Sequence, residues 1–363
     1  MSEQSAVVHE PTAGRRLARA LSPTNISALY FLLLMFVIFS FWVPHTFLTL
    51  GTWRSLLNDQ AVVALVAIGF GIPLAAGAFD LAVGAEVGLT GVLVAWLLAQ
   101  HSIPMIPAIA VTLVAGALIG SASGLFVVRM RIDSFIATLG MSSILIALTS
   151  WLSGGEQILN LSSAFQRIST VSVLGVTASV WLLLVVVVIV CYVMEHTPAG
   201  RRIYATGGNR EAARLAGVRT GTVIVLSLAA CGILTAVAGV LNSSTLGVGD
   251  PTVGPAYLLP ALAGVFLGST QFRGGRVNVW GTVTAIYVLA VGTTGLQLAG
   301  APSWIPDLFN GAALLIAVGV ARSGLGSGHR MRVVRRAIRM RSTQPAADGI
   351  LAPDQEEITS DQH

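Results

Sequence analysis

The stretch that decides the fold is residues 60–99, QAVVALVAIGFGIPLAAGAFDLAVGAEVGLTGVLVAWLLA. In these 40 residues only Asp80 and Glu86 carry charge. A membrane-crossing helix needs roughly 20 mostly apolar residues. The stretch is therefore long enough for two crossings, and the glycine-containing GAFDLAVG at 77–84 is where the chain turns back.

The whole chain agrees with this reading. It is 54% hydrophobic and 10% charged, against about 25% charged in a soluble domain. Working outward, further apolar runs lie at about 27–48, 104–128, 134–153, 177–195, 220–242, 256–270, 277–297 and 305–321. The expected fold is an all-α integral membrane protein, a polytopic bundle of about ten transmembrane helices within 27–321. The run at 256–270 is the shortest and reads either as a crossing or as a re-entrant or broken helix. The first run follows a basic start but is long and has no convincing small-residue cleavage site, so it reads as an uncleaved span.

Arginine placement orients the bundle. The chain has no lysine, and with ten crossings 19 of its 21 arginines fall on one side, leaving Arg54 and Arg167 on the other. The positive-inside rule makes the crowded side cytoplasmic. Both termini are then cytoplasmic: a tail at 1–26, and a tail at 322–363. The second tail includes HRMRVVRRAIRMR at 329–341, suited either to anionic lipid headgroups or to a plain stop-transfer role, and continues as a polar, disordered-type segment.

Small residues shape the helix faces. GALIGSASG puts Gly116, Gly120 and Gly124 four apart, a smooth ridge that lets membrane helices approach closely. Trp42, Trp96, Trp151, Trp280 and Trp304 fall near span ends, as an interfacial belt does. Cys191 and Cys231 lie in separate apolar segments and imply neither a disulfide nor a metal cluster.

Much chemistry is excluded. A P-loop requires a lysine, so this chain does not hydrolyse ATP by that motif. No catalytic triad stands out, and the six histidines sit in tails or at span ends, so no metal site is expected. Asp59, Asp133 and Asp307 are expected at helix starts, where acids are favoured. Asp80 is expected to cap a helix starting at Leu81. Glu86 is the one carboxylate placed further into a span; six residues from Asp80, it is expected to point about 240° away around the helix, so no paired site is expected. Phe79, Asp80, Gly84 and Glu86 are the candidates for lining a translocation pathway.

One loop is out of keeping with its surroundings. HTPAGRRIYATGGNREAARLAGVRTG, 196–221, carries charge and a short helical pattern between two spans. Asn209 reads as an N-cap, Glu211 lies in the first turn, and Gly217 is placed to end the helix. Ala212, Ala213, Leu215 and Ala216 offer it a small apolar surface. A helix of ~10 Å is too short to stand alone. It must dock, either on its own membrane domain or in a groove on a partner.

GRRIYATGGNREAARLAGV at 200–218 closely resembles the cytoplasmic loop of permease subunits of ribose-, xylose- and arabinose-type sugar ABC importers. Three more stretches agree in order: GAFDLAVGAEVGLTG at 77–91, RIDSFIATLGM at 131–141 and LAGVFLGSTQFRGGRVNVWGTVTA at 262–285. Ser134 stands where the family has proline, Leu258 where it usually has an acid, and Asn278 where a small residue is common. The resemblance implies two permease chains, identical or related, forming a pathway across the bacterial cytoplasmic (inner) membrane. It implies a separate P-loop ATPase that binds ATP and Mg, and an extracytoplasmic solute-binding protein. This chain would need no cofactor of its own, and its other contacts would be membrane lipids, with no nucleic acid. The coupling loop, 196–219, would meet the ATPase through Gly200, Arg201, Gly207, Gly208, Asn209, Glu211, Ala212, Ala213, Arg214, Leu215 and Gly217. The rival readings are an autonomous secondary transporter or channel, which needs an intramembrane ion site, and a membrane-embedded enzyme, which needs a convergent polar cluster.

Overall fold

The structure is a computed structural model that describes residues 27–271 and 276–319. The tails at 1–26 and 322–363, with the basic segment, and Arg273 lie outside the described residues.

Helices dominate. In chain order they are α1 Ser27–Trp42, α2 Pro44–Phe47, α3 Leu50–Ala75, α4 Val83–Ala99, α5 Met105–Arg129, α6 Ser134–Ser153 and α7 Ser163–Thr170. A two-stranded hairpin follows, β1 Ser172–Val173 against β2 Val176–Thr177. Then come α8 Ala178–His196, α9 Pro198–Gly208, α10 Arg210–Leu215, α11 Thr220–Leu246, α12 Pro255–Gln271, α13 Val279–Leu298 and α14 Ile305–Gly319.

Six helices, α3, α5, α6, α8, α11 and α13, are long and apolar enough to cross a membrane. Within α1, and at α4, α12 and α14, four shorter apolar helices occupy the places of the other expected runs. The 60–99 stretch does turn back on itself, between α3 and α4. However, α3 starts ten residues earlier than its apolar run, because Thr49 caps it by accepting from the Thr52 N–H at 3.2 Å. Asp59 therefore lies inside a helix rather than at its start. Asp133 does cap α6, accepting from the Phe135 N–H at 2.8 Å, and Asp307 lies in the first turn of α14. The 255–271 segment is one helix, with Pro260 inside it.

The core is built on α3 and α11. Of the most apolar window of α3, 72% is buried, against 22% in α6 and α8, which turn most of their surface outward. The glycine ridge explains why α11 packs so closely on α5. A methyl on Gly120 would overlap the Leu228 carbonyl, one on Gly116 the Gly232 carbonyl, and one on Gly124 would lie 2.7 Å from Val225 Cα. Backbones meet there because no side chain separates them. At the helix ends Trp42, Trp151, Trp280 and Trp304 are exposed, consistent with an interfacial belt.

The 154–176 loop holds structure that the apolar pattern did not disclose. Phe165 of α7 is fully buried, and Ser169 Oγ is 2.9 Å from Ser244 Oγ of α11. Ile158 and Gly249 exchange backbone bonds, and Gln157 Nε2 donates to Asp250 Oδ2 at 2.6 Å. This ties the loop to the turn between α11 and α12.

Candidate coupling site and the buried turn beside it

The charged loop is a pair of helices rather than the single short one expected. Thr197 caps α9, with Gly200 N–H reaching its hydroxyl at 3.5 Å, and Pro198 occupies the first helical position. Thr-Pro is a start signal legible in sequence. Gly200 is pressed against the Met194 backbone, where a side chain has no room. Gly200, Ile203 and Thr206 form the buried face of α9. Gly207 lies against the Ala75 carbonyl at the end of α3, and Tyr204 donates to the Val277 carbonyl at 2.8 Å. The Arg276 guanidinium lies 5.9 Å from the Tyr204 ring centroid, within cation–π range. Arg201, Glu195, His196, Arg276 and Asn278 border a polar recess of about 480 Å³ on this side.

Asn209 separates the two helices. Its Oδ1 accepts from the Ala212 N–H at 3.0 Å, as an N-cap does. The far end of α10 closes as expected. Gly217 has φ +84, its N–H reaches the Arg214 carbonyl at 3.0 Å, and Val218 N–H reaches the Ala213 carbonyl at 3.0 Å. This is a Schellman closure, and it favours glycine at the left-handed position. Between the caps, Glu211 and Arg214 form a 3.1 Å ion pair one turn apart. That i,i+3 spacing was also legible in the sequence.

The apolar surface of α10 divides. Ala213 faces inward and is buried, whereas Ala212 and Ala216 are exposed and Leu215 is 85% exposed. Gly208 has no neighbour within 4 Å of where a Cβ would sit. So α9 docks on its own membrane domain, while α10 is displayed.

The α3–α4 turn, which holds the other candidates, lies against the start of α6. Ser134 Oγ accepts from Phe79 N–H at 3.0 Å and Thr138 Oγ1 accepts from Leu81 N–H at 3.0 Å. Ser134 thus supplies a hydroxyl to this turn. Phe79 is part-exposed and stacks on Phe266 at 6.5 Å. Gly84 meets the Gly254 backbone, where a Cβ would come within 2.7 Å of the carbonyl oxygen.

Two expectations about the carboxylates fail here. Asp80 does not cap the helix: its Oδ1 accepts from Ala82 N–H at 3.1 Å, but α4 starts only at Val83 and its N-cap is Ala82. Because Asp80 precedes the helix, counting 100° per residue from it to Glu86 does not apply. The two carboxylates are both buried and meet successive turns of α11. Each faces α11: the Cys231 thiol lies beside Asp80, and Thr235 Oγ1 donates to Glu86 Oε2 at 2.6 Å. Cys231 and Thr235 are four residues apart, hence on one helix face. Among the described residues no group of three or more His, Cys, Asp or Glu is arranged to hold a metal ion.

The sequence of the membrane part matches a known family. The family described as branched-chain amino acid transport system / permease component matches residues 52–318. The chain belongs to that family. The ribose import permease protein of Escherichia coli (strain K12) is 30% identical over 313 residues, 85% of this chain and 97% of that protein. Its namesake in Bacillus subtilis (strain 168) is 32% identical over 266 residues, 73% of this chain and 82% of the relative. The autoinducer 2 import system permease protein of Escherichia coli O157:H7 is 30% identical over 292 residues, 80% of this chain and 84% of the relative. As a member of this permease family with several apolar helices, the chain is a multi-pass membrane protein and a transport component.

Proposed function

We propose that this permease is the membrane-spanning subunit of an ATP-binding-cassette importer that brings a monosaccharide or related small polar solute into the cell. The family match and the sugar-importer names of the relatives support that class. About ten apolar segments cross the bacterial inner membrane, α12 either as a full crossing or as a re-entrant helix, with both termini cytoplasmic, in line with the arginine count. Two permease chains form the pathway, and a solute-binding protein delivers cargo from outside. The 154–176 loop, tied to the α11–α12 turn, forms part of the outer face. ATP and Mg bind to the separate ATPase. Of the turn residues, part-exposed Phe79 borders the pathway, while Asp80, Gly84 and Glu86 hold the turn against α11 and α12.

One observation carries the coupling role: α10 is capped at both ends and displays Leu215, 85% exposed, beside the Glu211–Arg214 pair. That is an apolar anchor with a charged rim, suited to a groove on a partner. The ATPase docks there, on Gly208 to Gly217, and its movement passes through α9, seated on α3, α8 and α11, into the membrane helices.

Gentle purification from the native membrane tests this. A P-loop ATPase is expected to co-purify and to be lost when residues 208–217 are scrambled. Undiminished co-purification with the scrambled loop removes the coupling role from α10.

A further inference from the structure

An apolar groove of about 920 Å³ lies between α8, α9 and α11. Its floor includes Val190, Met194 and Ile203, and Leu226 and Ile233 stand exposed along its side. On α11 it runs from Thr222 to Leu234, which at 1.5 Å per residue is about 18 Å. Half of a bilayer's hydrocarbon core is about 15 Å, so the groove has the depth of one leaflet.

Two cations mark one end. Arg219 precedes α11, Arg202 lies on α9, and both are exposed and line the groove. No carboxylate lines it. Among the described residues the only ion pair is Arg214–Glu211, so neither arginine is neutralised by one. The one serine in the wall, Ser227, donates to its own helix at the Val223 carbonyl. A peptide laid here in extended form would leave backbone groups without partners. An acyl chain has none to satisfy.

We propose that this groove binds an anionic phospholipid of the cytoplasmic leaflet. One acyl chain lies along α8 and α11, and the headgroup phosphate sits at Arg202 and Arg219. The lipid then bridges α9 to α11 beside the displayed helix. The side of the membrane rests on the coupling-loop reading; the ligand chemistry does not.

The test is native mass spectrometry of the full chain from nanodiscs containing equal phosphatidylglycerol and phosphatidylcholine. Wild type is expected to retain one phosphatidylglycerol per chain, preferred about tenfold or more, the scale set by two arginines at an anionic headgroup. Arg202→Gln with Arg219→Gln is expected to abolish the preference, and the corresponding double lysine variant to keep most of it. Equal retention of both lipids by wild type, or an unchanged preference in the double glutamine variant, overturns the site. So does an Ile233→Cys variant that cross-links two copies through the groove in place of lipid. ATPase co-purification is scored on the same samples. Its absence with phosphatidylglycerol retained overturns the coupling reading and leaves the lipid site standing.

Discussion

α9 and α10 belong to one loop and have opposite fates. α9 buries Gly200, Ile203 and Thr206 and ties Tyr204 to the Val277 carbonyl, so it is part of the membrane domain's own packing. α10 buries only Ala213 and leaves its largest apolar side chain outside. In the coupling role proposed above, α9 is the fixed end of a lever and α10 the end to be gripped, with Asn209, the N-cap of α10, between them.

The largest effect should come from breaking the fixed half. Gly207→Val forces a side chain into the Ala75 carbonyl. Overpacking in a core costs about 1–3 kcal/mol, and here the obstacle is backbone. We expect loss of thermal stability together with loss of uptake. The neighbouring Gly208→Ala meets nothing within 4 Å and should leave the melting temperature unchanged, so any fall in its uptake is a partner effect.

Next in size is the displayed half. Glu211→Arg reverses one member of an exposed pair; such pairs are worth about 0–1 kcal/mol. The purified chain should melt as wild type does, while ATPase binding and solute-driven uptake fall about tenfold or more, the scale for a like-charge contact at an interface. A melting temperature that drops as far as for Gly207→Val would erase the distinction between the two helices.

Leu215→Ala sharpens it further. Burying a leucine is worth about 1.5–3 kcal/mol, all of it realised only when a partner covers the side chain. Titration with purified ATPase should show affinity weakened about tenfold, with no change in the free chain. Equal affinity would mean that Leu215 faces water in the complex too.

The smallest effect lies on the far loops. Burial pushes the Asp250 carboxyl up, but the hydrogen bonds from the Thr252 hydroxyl and N–H and from Gln157 together hold it below its ordinary value of 3.8. A carboxylate lowered in the folded state adds stability that is present above its ordinary value and lost as pH falls through the lowered one. Hydrogen-exchange protection factors at 155–160, corrected for the intrinsic pH dependence of amide exchange, should therefore be flat above about pH 4 and fall only below it. A fall starting near neutrality would show that Asp250 is not what holds the loop.

Apolar run length and small-residue spacing were enough, from sequence alone, for where the apolar helices lie and for a close-packing face on α5, though not for α11 as its partner, because backbone groups in lipid must be satisfied within a helix and small residues let two helices touch. The caps of α10 were legible for the same local reason: Asn209 and Gly217 act within four residues of themselves. The start of α3 was also set locally, by the Thr49 cap, but below the apolar run that marked the helix. Two things depended on distant contacts. The placing of Asp80 and Glu86 against α11 was set by a turn that ends before the helix begins, closed by Cys231 and Thr235 some 150 residues away. And which half of the charged loop is buried was decided by the Ala75 and Val277 carbonyls, which lie far from it in sequence and beside it in space. Sequence determines what a segment does by itself; only the tertiary structure decides which of its faces meets another segment, because burial depends on neighbours that local spacing does not encode.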